Sequence, residues 1–294
     1  MNFVGDWFFW AITSTILFGI HALRYRRLIE DGADRLTTQV VLAGIVSVLA
    51  AVTFALGEGQ IASDFTGFLL VAALQGGLFF ASTVTRLDAL QNGLPSHVLF
   101  PLLKISGPLV VIISVIVFQE KTFMKSPQNI TGMIITLGAT WVLVQWRPTE
   151  GAVHSGIPFA ILAMLFGAGA ILASRYVYVN EVDIFAFMLV SNVTQVLLAV
   201  GFMIVSGKRA DVASFRSGLH SGFILGLLSF AGFASFLHAI QDGDLARVAA
   251  INTLYVLIPI VMATILYRET EREGFTFRKQ VAVVLSLIGV ILLK

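Results

Sequence analysis

Cysteine is absent from all 294 residues. That excludes disulfides, thiolate nucleophiles and cysteine metal sites. Charge is scarce as well: 12% of the chain is Asp, Glu, Lys or Arg, against 57% hydrophobic residues and a mean hydropathy of +0.90. An ordinary soluble domain carries about 25% charged residues. Carboxylates are missing from the interior of every long apolar run, which leaves no membrane-depth acid pair for catalysis and weakens any carboxylate-based proton coupling. HExxH, GxSxG and Walker A patterns are also missing. Proteolysis, acyl transfer and ATP-driven pumping therefore lack their parts, so the chain reads as neither an enzyme nor a holder of a cofactor or metal. The net charge of +2 is too small to argue for nucleic acid. With no polar stretch long enough for a soluble domain, function has to lie among the apolar segments or at their mouths.

Ten apolar runs remain, each near the roughly 20 residues that a bilayer core requires: Trp7 to Leu23, Leu36 to Leu56, Phe65 to Val84, Leu94 to Phe118, Ile130 to Trp146, Gly156 to Ala173, Ile184 to Val205, Leu219 to Ile240, Val248 to Tyr267 and Val281 to Leu293. The last is short and can start before Arg278 and Lys279, whose side chains snorkel. The first lacks a basic leader and a small-residue cleavage site, so it reads as a retained helix. The expected fold is an all-α polytopic membrane protein. Thirteen of the 19 Lys and Arg fall in the odd-numbered connections, which predicts those loops on the cytoplasmic side and both termini outside.

The fourth run carries a lysine near its middle. A charge there costs about 3 kcal/mol on insertion scales, so Lys104 must face protein, water or ligand. His97, Pro101, Lys104 and Pro108 follow at steps of 4, 3 and 4, which puts them on one helix face. The steps return 151 residues later, where Pro101 matches Asn252, Lys104 matches Tyr255 and Pro108 matches Pro259. Other stretches recur in the same order, at offsets of 148 to 155 residues. GFLLVAALQGG (Gly67 to Gly77) parallels GFILGLLSFAG (Gly222 to Gly232), and ALQNGLPSHV (Ala89 to Val98) parallels AIQDGDLARV (Ala239 to Val248). Leu-Phe-Gly ends at Gly19 and again at Gly167, Glu120 and Glu269 follow the fourth and ninth runs, and Gly138 and Gly289 lie in the fifth and tenth. Five runs per half is an odd number, so the second copy, residues 151–294, enters the membrane from the side opposite to the first, residues 1–150. Such inverted repeats build carriers whose substrate sits between the halves.

In this order and in two copies, these motifs resemble the drug/metabolite transporter superfamily, EamA-like branch, over essentially the whole chain. The resemblance implies a central cavity lined mainly by helices 1 to 4 and 6 to 9, with helices 5 and 10 peripheral. Members carry amino acids, other small metabolites, nucleotide sugars or drugs. The function expected is a secondary, alternating-access transporter moving a small polar metabolite, an amino acid or organic anion, across the inner or plasma membrane in the export direction. A lipid-linked flippase and a passive channel are the alternatives. Partners are the small-molecule substrate and membrane lipids, with proton or exchange coupling open and oligomeric state unread.

Eight residues are candidates for the substrate. Lys104 suits a carboxylate or phosphate, or a protonation switch; the plain alternative is a structural pair. Tyr255 offers a hydroxyl and an aromatic face, or simple packing. Asn252 can bond a zwitterion or sugar, or bridge two helices. His97 shares the face of Lys104. Gln75, Asn192 and Gln195 lie mid-helix and point inward, as helix glue or as substrate contacts. Trp10 is deep enough to touch a ligand, whereas Trp7, Trp141 and Trp146 suit interfacial belts. His21 and His238 sit toward helix ends, and Arg86 and Arg175 read as snorkelling topology charges.

Overall fold

Ten principal helices form the described part of the chain, as a computed structural model covering residues 6–30, 34–57, 64–92, 94, 99, 102–103, 105–119, 125–143, 153–207, 212–256, 258 and 277–293. They are α1 (Trp7–Glu30), α2 (Arg35–Leu56), α3 (Phe65–Gln91), α4 (Ser106–Val117), α5 (Pro127–Leu143), α6 (Val153–Ala173), α7 (Ile184–Val205), α8 (Val212–Asp242), α9 (Leu245–Asn252) and α10 (Phe277–Leu293). No strand occurs among the described residues. Regions of α2, α3, α6, α7 and α8 are long and apolar enough to cross a bilayer, while α4 and α10 are shorter apolar helices. Lys104, His97, Pro101 and Pro259 lie outside the described residues, as does Trp146.

Helix starts follow from capping chemistry. Asp34 accepts from the Thr37 amide at 2.8 Å and from its hydroxyl at 2.6 Å, and so starts α2. Asp183 accepts from the amides of Phe185 and Ala186, both at 2.8 Å, and starts α7. Each supplies an acceptor to amides that have no partner inside their own helix. The second helix of each half thus begins on an aspartate.

Several boundaries differ from the apolar runs. Helices α1 and α3 continue past Leu23 and Val84 to Glu30 and Gln91, and α8 begins at Val212, seven residues ahead of Leu219. Apolarity marks the hydrocarbon, but the backbone ladder continues into the interface. Helix α10 takes in Arg278 and Lys279. The ninth span is not one regular helix either: α9 ends at Asn252 and passes into a 3₁₀ turn, Thr253–Val256.

The helices pair across the two halves rather than within them. The principal contacts are α3 with α6, α1 with α8, α2 with α7, α2 with α8, α3 with α7, α4 with α9, α4 with α6, α1 with α9 and α5 with α10. Exchanging each helix with the one five places away maps this set onto itself. The pair α3–α6 becomes α8–α1, α2–α8 becomes α7–α3, and α4–α6 becomes α9–α1. The pairs α2–α7, α4–α9 and α5–α10 each map onto themselves.

Between apolar helices, close approach depends on small residues. Gly76 of α3 lies against the backbone carbonyl of Ser191 in α7, where a Cβ would overlap that oxygen. Backbone cannot swing aside. Gly76→Ala is expected to force α3 and α7 apart and to lower both monodisperse yield and melting temperature in detergent. Gly44→Ala, with no atom within 4 Å of its added Cβ, should match the wild type or gain about 0.5–1 kcal/mol from lower unfolded-chain entropy. Equal melting temperatures for the two variants would sink this account of the α3–α7 contact.

Candidate functional site

Two tight turns stand at equivalent places in the halves. In the first, the amide of Ile105 donates to the carbonyl of Leu102 at 3.1 Å, just before α4 begins. In the second, residues Thr253–Val256 form the 3₁₀ segment after α9. Adding 151 to 102–105 gives 253–256, the offset read from the sequence. A proline follows each turn in the sequence. Pro108 and Pro259 have no N–H to donate to the carbonyl four residues earlier, which removes one possible ladder bond beside each turn. A 3₁₀ stretch inside a helix often marks a hinge or functional site.

The two interrupted segments cross. A Cβ on Gly107 of α4 would overlap the Thr253 methyl, so the backbone of one lies directly on the side chain of the other. Thr253 is held in that orientation by its hydroxyl, which donates to the Ala250 carbonyl at 2.6 Å.

Helix α1 runs beside this crossing and presents Trp10, Ser14, Phe18, His21 and Tyr25 at steps of 4, 4, 3 and 4, one face of the helix. Trp10 stacks on His238 of α8, with centroids 5.1 Å apart. Asn252 donates from its amide to the Ser14 hydroxyl at 3.1 Å. The rings of Phe18 and Tyr255 are 6.4 Å apart. His21 stacks on Tyr25 at 5.9 Å. At 1.5 Å per residue the stripe covers about 22 Å, most of a hydrocarbon core.

Of the eight candidates, the structure therefore brings Trp10, Asn252 and Tyr255 to one stripe. Gln75, Asn192 and Gln195 lie in a different set of contacts. Gln75 is fully buried, accepts through Oε1 from the Ser191 hydroxyl and donates to Ser174 Oγ at 3.4 Å. Asn192 donates to the Met188 carbonyl at 2.8 Å and accepts from Gln195 Nε2 at 3.3 Å, while Gln195 Oε1 accepts from Gln39 Nε2 at 3.0 Å. These side chains join α2, α3 and α7 to one another and to the turn after α6.

Arg175 corrects a reading from sequence. It does not snorkel: the residue is 8% exposed, and its Nη1 donates to the carbonyls of Ile240 at 3.0 Å and Gly243 at 3.3 Å, at the end of α8. The last carbonyls of a helix carry partial negative charge and take a cation readily. Arg247 is similarly engaged, 3.2 Å from Asp244 and over the Trp7 ring at 5.6 Å. Ser14 and Phe18 were not singled out in advance, though the helical spacing that unites them with Trp10 was present. Among the described residues no group of three His, Asp or Glu is placed to hold a metal ion.

Residues 154–294 match the model of the EamA-like transporter family. A solved structure, described only as the crystal structure of a protein, aligns with a TM-score of 0.74 over 96% of this chain and 94% of its own, at 16% identity. At that identity the likeness is one of fold. No curated protein matches the sequence significantly.

Proposed function

We propose that this chain, whose residues 154–294 match the EamA-like transporter family, moves a small polar metabolite by alternating access along the α1 stripe, between two inverted five-helix repeats. That match supports reading it as a multi-pass membrane transporter of the drug/metabolite transporter superfamily. The substrate class proposed is an amino acid or organic anion, the membrane is the inner or plasma membrane, and the direction is export. One observation carries the reading. The principal helix contacts map onto themselves when the halves are exchanged, and the two interrupted helices meet at Gly107 and Thr253. Related halves with discontinuous helices crossing at their interface are the arrangement in which one half rocks against the other around a fixed site.

Lys104, Tyr255, Asn252, His97 and Trp10 are proposed as the substrate contacts, and Gln75, Asn192 and Gln195 as flanking polar groups already occupied between helices. The charge asymmetry supports cytoplasmic odd-numbered loops, because two of the basic residues on the opposite side, Arg175 and Arg247, are held in structural contacts. A carrier and a channel differ in one measurable respect. Unlabelled substrate inside proteoliposomes accelerates entry of labelled substrate through a carrier, since the loaded site returns faster than the empty one. Severalfold trans-stimulation by an amino acid or dicarboxylate, without scrambling of a fluorescent lipid, is the expected result. Transport without trans-stimulation means a channel, and lipid scrambling alone means a flippase.

A further inference from the structure

One end of the α1 stripe holds polar atoms that no helix contact uses. His21 and Tyr25 lie one turn apart with nearly parallel rings, 20° between their planes. From α3, the Arg86 guanidinium stands over the Tyr25 ring, 5.4 Å from its centroid. The Nε2 of His21 and the hydroxyl of Tyr25 are both buried, and neither has a hydrogen-bond partner. No carboxylate of the described residues pairs with Arg86. Packing alone would be served by phenylalanine at position 25. Buried polar atoms in proteins nearly always find partners, so two orphans beside one cation call for a ligand.

The chemistry of that ligand follows from what the three groups offer. A guanidinium only donates, a phenol donates, and an imidazole carrying its proton on Nε2 donates. What all three share is an acceptor of negative charge, and hydrogen bonds from a cation to an oxyanion are the strong ones. Arginine in particular presents a planar fork that matches a carboxylate or phosphate. We infer that His21, Tyr25 and Arg86 form an oxyanion site, taking the carboxylate or phosphate group of a solute at the α1–α3 end of the stripe. That the solute is the transported one rests on the transport reading above; the site itself is read by binding.

The test uses the purified full chain in nanodiscs of zwitterionic phosphatidylcholine, titrated with succinate or inorganic phosphate against chloride at equal ionic strength. A ligand that binds only the folded state raises the melting temperature with concentration. Succinate or phosphate is expected to do so. Arg86→Gln and Tyr25→Phe should each raise the half-saturating concentration at least tenfold. Without ligand, Tyr25→Phe should melt at or above the wild-type temperature, because its hydroxyl has no partner to lose. A second arm replaces part of the lipid with phosphatidylglycerol and adds no solute; a rise there alone assigns the oxyanion to a lipid headgroup and overturns the solute assignment. Absence of any anion-specific shift, unchanged half-saturation in both variants, or a lower unliganded melting temperature for Tyr25→Phe overturns the site. Transport activity is measured separately, so a chain that transports but shows no anion shift loses this site and keeps its carrier reading.

Discussion

Lys104→Met is expected to cut uptake into proteoliposomes by at least tenfold while leaving yield and monodispersity at wild-type levels. Lys104 is the one basic residue deep within an apolar run, and keeping it there costs about 3 kcal/mol that an apolar residue would not incur. A hydrogen bond to a charged group contributes about 1.5–3 kcal/mol, and losing one partner leaves the other desolvated. At about 1.4 kcal/mol per factor of ten, that range corresponds to about 10- to 150-fold in binding. Methionine keeps most of the length and removes the charge, so insertion should improve as transport fails. Lys104→Arg should recover only part of the rate, because a planar fork cannot present a point charge in the same place. Wild-type transport of amino acids and organic anions by Lys104→Met would end the anionic-substrate reading.

Gly107→Ala is expected to lose most transport, and the added change Thr253→Ser is expected to restore much of it. The alanine Cβ would overlap the Thr253 methyl, and overpacking of this kind costs about 1–3 kcal/mol. Serine removes that methyl and keeps the hydroxyl that donates to Ala250. Thr253→Ser alone should therefore be mild. The pair should be strongly non-additive, as residues in direct contact are. Additive losses would mean that the crossing of α4 on the 3₁₀ turn is not what Gly107 protects.

What was legible is an offset of 151 residues. Prolines at 108 and 259 stand at that offset, and Leu102–Ile105 and Thr253–Val256 hold tight turns at the same one. Asn252 and Tyr255 could be named for the same reason. What was not legible is which polar side chain answers which. Gln75 and Asn252 look alike as polar residues in apolar runs, yet the first is bonded to Ser191 and Ser174 and the second to Ser14. Arg175 was misread because its acceptors, Ile240 and Gly243, come from a helix some 65 residues away. Ser14 and Phe18 escaped notice because serine and phenylalanine are commonplace in membrane helices, and only contact with Asn252 of α9 and Tyr255 of the 3₁₀ turn sets them apart.

The cross-half pairing also has a meaning in time. A ribosome adds about 5–20 residues per second, so the second half trails the first by about 7–30 s. During that interval α1, α2 and α3 are already synthesised, while α6, α7 and α8, against which they make their principal contacts, are not. Gly76, shaped to meet a carbonyl of α7, and Gln39, bonded to Gln195, face no partner until the later helices arrive. The nascent first half is thus a set of inserted helices in search of a fold. Its safekeeping falls to lipid and to the insertion machinery, and a ribosome that stalls near the midpoint leaves a product with nothing to close around.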